Sequence, residues 1–121
     1  MKAVVCVRHG PPDALEIQDL PDPVPGPGEV VVAVSAIGLN FFDTLFIRDL
    51  YQVKPGLPFS PGAEFAGHVA ALGAGVTSFA VGERVCGYVT HGAAREKVVV
   101  EAQFLARVPA DLDLAKAAGL L

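Results

Sequence analysis

Two stretches of this 121-residue chain gather residues that could do chemistry in a neutral setting. Gly38-Leu39-Asn40-Phe41-Phe42-Asp43 leads on to Tyr51, and Pro58-Phe59-Ser60-Pro61-Gly62-Ala63-Glu64-Phe65-Ala66-Gly67 follows. Asn40 and Tyr51 offer uncharged donors and acceptors beside two rings, Phe41 and Phe42. Asp43 and Glu64 add two carboxylates. Such a set can orient a neutral ligand and stabilise charge that spreads over a conjugated system, using hydrogen bonds alone. The same residues also have a structural reading. Asn40 can cap a helix, Asp43 can complement the dipole of its first turn, and Tyr51 can edge a core.

Other site chemistries find little support. His9, His68 and His91 are far apart, none stands at ligand spacing with a cysteine, and there is no Cys-x-x-Cys. Ser35, Ser60 and Ser78 lack the strand-turn-helix context of a nucleophile elbow. Gly73-Ala74-Gly75-Val76 lacks the third glycine and the helix of a dinucleotide fingerprint. Cys6 and Cys86 sit in apolar, strand-like runs and read as buried free thiols.

The elements that must position these residues are mostly short strands. Residues 2–8 and 15–20 read as a paired set, the second alternating apolar and polar. Residues 21–28 hold four prolines, which forbids helix and ladder alike and leaves an ordered surface connection. Residues 29–37 form the best strand, β-branched and bounded by glycine. Residues 41–48 break alternation and predict a short helix opened by Asn40. The prolines of 54–62 require a loop, and 63–72 read as a strand with Gly67 as a bulge. Residues 84–90, 93–101 and 104–108 are further strands. Short strands joined by Pro/Gly turns describe a barrel or sandwich. Residues 111–121 start a helix whose apolar positions cover nearly every face. Such a helix is normally buried, and nothing after it in the sequence would bury it, which reads as truncation.

Composition excludes several functions. Nine scattered basic residues and a net charge of −4 leave no footprint for nucleic acid. The longest apolar stretch, 30–39, is broken by Ser35 and Gly38, far short of the roughly 20 residues a spanning helix needs. No secretory signal opens the chain, and a cytoplasmic protein off the membrane is expected. The hydrophobic share of 52% is high, which predicts an apolar face that meets a second domain or another copy.

Three stretches together resemble the zinc-independent medium-chain dehydrogenase/reductases, in the NADPH:quinone oxidoreductase (zeta-crystallin-like) branch. They are Gly28-Glu29-Val30-Val31-Val32 through Asn40-Phe41-Phe42-Asp43; Leu50-Tyr51-Gln52-Val53-Lys54-Pro55 through Gly62-Ala63-Glu64-Phe65-Ala66-Gly67; and Val81-Gly82-Glu83-Arg84-Val85 with the 94–100 strand. The resemblance covers essentially the whole chain. It implies a mainly β, GroES-like, partly open barrel with short helices, residues 1–121 being the catalytic-side domain. It also implies that a Rossmann nucleotide-binding domain belongs to the whole protein and is absent from this chain.

In zinc-dependent relatives a cysteine stands at the Asn40 position, and Gly-His-Glu stands where this chain has Gly62-Ala63-Glu64. The resemblance therefore implies a zinc-free enzyme that transfers hydride from NADPH to a quinone or similar conjugated carbonyl. Asn40 and Tyr51 would be catalytic, with Asn40 also touching the cofactor. Phe41 and Phe42 would wall the pocket, and Asp43 and Glu64 would brace it. No NADPH is expected on the 121-residue chain, nor activity from it alone. Family members often carry a glycine just before the Tyr51 segment, where this chain has Arg48-Asp49-Leu50, so a different loop path is expected there. An enoyl reductase of the same superfamily and a free-standing GroES-like interaction module are the competing readings.

Overall fold

The structure, a computed structural model, describes residues 1–120. Strands β1 (Lys2–Val5) and β2 (Glu16–Asp19) pair antiparallel as a ribbon. A second, wholly antiparallel sheet holds β3 (Glu29–Gly38), β4 (Glu64–Leu72), β5 (Arg84–Tyr88), β6 (Lys97–Glu101) and β7 (Leu105–Arg107), in the order β6-β3-β4-β5-β7. Isolated bridges Ala3–Arg95 and Cys6–Phe59 tie the ribbon to loops at the end of that sheet. The helices are α1 (Phe41–Ile47) and α2 (Leu114–Ala118). Among the described residues no helix is long and apolar enough to cross a membrane.

The period-2 alternation of the strands sorts their side chains onto two faces. Val30, Val32, Phe65, Val69, Val85, Val98 and Val100 form the main core. Ala66 and Cys86 point the other way, against Val108 and the Ala117–Ala118 face of α2. A third cluster joins Cys6, Phe46, Ile47 and Phe59, which seats α1 on the ribbon side. Both cysteines are free thiols, and burial pushes each above the ordinary thiol value.

The proline-rich 21–28 segment is ordered, as expected. The Gly28 N–H donates to the Ala74 carbonyl at 2.9 Å, and the Gly73 N–H to the Glu29 carbonyl at 2.7 Å. The bulge expected at Gly67 is displaced by a strand: Gly67 pairs with Val34 and Ala66 with Ala36, which leaves Ser35 of β3 as the extra residue. Gly67 is needed for a different reason. A Cβ there would lie 2.0 Å from the Ala33 carbonyl oxygen, so only glycine lets the two backbones approach.

The C-terminal expectation needs correction. Helix α2 is five residues long, capped by Asp113, whose carboxylate accepts the Ala115 N–H at 2.7 Å. Ala117 and Ala118 are buried by this chain's own sheet, so the helix is not an unmated apolar element. Leu121, which closes the expected 111–121 helix, lies outside the described residues.

Candidate functional site

Strand pairing assembles the site. Gly38 at the end of β3 lies opposite Glu64 at the start of β4, and Glu64 lies opposite Tyr88 at the end of β5. Three strand ends thus meet in one row, and the chain turns from Gly38 into Asn40 and α1. The Asn40 Nδ2 donates to Glu64 Oε1 at 2.7 Å. Glu64 is buried, so little water competes for this bond. A Cβ at Gly38 would stand 2.9 Å from the Ala118 carbonyl oxygen and 3.2 Å from the same Oε1, so glycine there leaves room for both the α2 backbone and the carboxyl group.

Asp43 is also buried. Its Oδ2 accepts the Asn40 backbone N–H at 2.9 Å, with capping-box geometry at the helix start. Its Oδ1 accepts the Gly62 N–H at 3.2 Å. One carboxylate therefore ties α1 to the loop that enters β4, and Asn40 and Glu64 are held on the two sides of that tie.

Helix α1 ends through Asp49, whose φ of 58° is the left-handed conformation that aspartate tolerates better than most residues. Lys54 holds it. The ammonium donates to the Asp49 carbonyl at 2.9 Å and to Oδ1 at 3.0 Å, and that hydrogen bond lowers the Asp49 carboxyl below its ordinary value. The loop then lays Tyr51 against Phe46, with centroids 4.8 Å apart, and against Phe42, at 5.9 Å.

These residues border a cleft of about 470 Å³ lined by Asn40, Phe42, Phe46, Tyr51, Val53, Ala63, Glu64, Tyr88, Val89 and Thr90. Asn40, Tyr51, Phe42 and Glu64 are brought together, while Asp43 lies behind them. Phe41 is not: it is 78% exposed at the first turn of α1 and does not line the cleft. A seven-residue helix turns about 100° per residue, so Phe41 and Phe42 cannot face the same side. Phe46, Val53 and the Tyr88–Thr90 segment were missed from sequence. Phe46, four residues after Phe42 on one helix face, was a usable signal. Tyr88 was not, because only the β4–β5 register places it beside Glu64.

The lining holds one carboxylate and no cation, so the cleft suits an uncharged planar group rather than a phosphate. His91 sits outside it, packed on Phe59 at 5.8 Å and Phe46 at 6.2 Å; burial, then the Arg95 charge, lower its pKa. Among the described residues no three His, Cys, Asp or Glu side chains converge as a metal-holding group.

Residues 26–110 match the model of the alcohol dehydrogenase GroES-like domain. The chain is 42% identical to a quinone oxidoreductase of Pseudomonas aeruginosa, over 99% of this chain and 37% of that protein. The human synaptic vesicle membrane protein VAT-1 homolog-like protein superposes with a TM-score of 0.95 at 34% identity, over 98% of this chain and 38% of that one. The quinone oxidoreductase of Escherichia coli complexed with NADPH superposes with a TM-score of 0.94 at 31% identity, over 100% of this chain and 38% of that one. The chain thus spans little more than a third of each of these relatives.

Proposed function

Because this chain belongs to the alcohol dehydrogenase GroES-like domain family, we propose that it forms the substrate side of a zinc-free, NADPH-dependent oxidoreductase that reduces quinones or similar conjugated carbonyls. The cleft carries this reading: a mainly apolar hollow with a neutral amide held on a buried carboxylate at one end. A quinone or enone accepts hydride while its own π-system spreads the charge to oxygen. Neutral hydrogen-bonding groups are enough to stabilise that charge. Asn40 and Tyr51 supply them, Glu64 orients the Asn40 amide, Phe42 and Phe46 exclude water, and Asp43 keeps the backbone of Asn40 in place.

The zinc-free part of the proposal is supported by residue type. A carboxamide at 40 and a methyl at 63 offer neither thiolate nor imidazole. NADPH, when bound, supplies the hydride. Its uncharged ring end fits a mainly apolar cleft, but its phosphates do not, since no cation lines the cleft and the start of α1 already faces the Asp43 carboxylate. We therefore assign the phosphates to a separate nucleotide-binding domain.

The test is quinone-dependent oxidation of NADPH by a protein that joins this chain to such a domain. Asn40→Ala is expected to lower kcat/KM by roughly 10²-fold. The 121-residue chain alone is expected to show neither turnover nor heat of NADPH binding by calorimetry. Micromolar NADPH binding by the isolated chain would overturn the division of labour. Faster turnover of an enoyl thioester than of any quinone would move the assignment to an enoyl reductase.

A further inference from the structure

We infer that Tyr88 is a substrate-contacting residue that sets the preference for fused-ring over single-ring acceptors. The inference rests on the proposed quinone reduction and goes beyond it by naming what selects the substrate. The aromatic side chains on the α1 side of the cleft are already packed on one another. Phe46 stands 4.8 Å from Tyr51 and 6.1 Å from Phe42, and Phe42 stands 5.9 Å from Tyr51. Those three rings already spend part of their surface on one another while still lining the cleft.

Tyr88 differs. It comes from β5, lines the same cleft, and is 50% exposed. Among the described residues its ring meets one other, Phe104, edge-on at 5.3 Å. A ring braced on its edge and otherwise open is placed to lie against another planar ring. Its register fixes where. Tyr88 is the cross-strand partner of Glu64, whose carboxylate holds Asn40. An acceptor whose oxygen reaches the Asn40 amide therefore has its ring system directed along the row toward Tyr88. A single-ring acceptor can satisfy Asn40 and the α1 wall alone. A fused-ring acceptor extends far enough to cover Tyr88 as well, and gains the aromatic contact.

The Tyr88 position also partitions space. Tyr88, Val89 and Thr90 line both this cleft and a neighbouring hollow of about 300 Å³, so the residue stands at their shared border. A ring that acted only as an obstruction would make its removal favour large acceptors. A ring that acts as a contact surface makes its removal disfavour them, and the two roles separate by sign.

The experiment compares kcat/KM for 1,4-benzoquinone and 9,10-phenanthrenequinone in the NADPH-dependent enzyme carrying this domain. Tyr88→Ala and Tyr88→Leu are each expected to lower the fused-to-single-ring ratio about three- to tenfold, while Tyr88→Phe keeps it. Leucine preserves apolar bulk without a π face, so equal losses in the two variants trace the effect to the ring, and thermal melting confirms that both remain folded. An unchanged ratio, or one that rises in Tyr88→Ala, overturns the inference. Failure of the unaltered enzyme to reduce either quinone would instead overturn the proposed function.

Discussion

Replacing Asp43 by alanine tests whether one carboxylate joins the fold to the site. The side chain satisfies two backbone donors, the Gly62 N–H in a buried loop and the Asn40 N–H at the half-buried helix start. Without Asp43 the Gly62 donor has no route to water, which costs about 2 kcal/mol for a buried unsatisfied group. The Asn40 N–H can be partly rehydrated, and its loss with the favourable first-turn charge adds about 1 kcal/mol. The expected destabilisation is about 3 kcal/mol. At an unfolding entropy of roughly 2.1 cal/mol/K per residue, a chain of this length should melt about 12 °C lower. Asp43→Asn keeps one acceptor oxygen and should lose about half as much. Urea unfolding gives the energies, and amide hydrogen exchange at Gly62 reports the local bond. A loss below about 1 kcal/mol in Asp43→Ala, with Gly62 exchange unaltered, would refute the reasoning.

Two further perturbations probe the frame around the site. Gly67→Ala places a Cβ 2.0 Å from the Ala33 carbonyl oxygen; β3 and β4 must part, and a loss of about 3 kcal/mol or more, or failure to fold, is expected in chemical denaturation. His91 is held below the ordinary histidine value of 6.5, first by burial and then by Arg95. The unfolded chain therefore binds the proton more readily, so stability is full above about pH 6.5 and falls as the pH drops below it. His91→Phe should flatten that slope in denaturation midpoints measured across the range; an unchanged slope would remove His91 as its source.

Legibility differed by element for identifiable reasons. The strand at 29–37 and the helix at 41–48 were readable because β-branched alternation and its sudden loss are local signals, and β3 and α1 match them closely. The strand read over 93–101 shrinks to β6 at Lys97–Glu101, because Ala93 and Ala94 spend their N–H groups on the Gly62 and Pro61 carbonyls. The helix at the C-terminus looked apolar all round, yet a small-residue face of Ala117 and Ala118 was enough to seat it on Ala66 and Cys86. Phe41 and Phe42 looked equivalent as neighbours in sequence; helical geometry sends one to solvent and the other into the cleft.

Residue type alone determined which groups positions 40 and 63 can offer: an amide and a methyl, neither a thiolate nor an imidazole. Those are properties of side chains and hold wherever the chain places them. What the amide touches, and what stands beside it, only the tertiary structure decided. Glu64 follows Asn40 by 24 residues and Tyr88 lies further on still, so their meeting depends on the register of β3 with β4 and of β4 with β5. That register is set by the buried faces of three strands together and by a backbone approach that only Gly67 allows, and no local pattern in one strand encodes it.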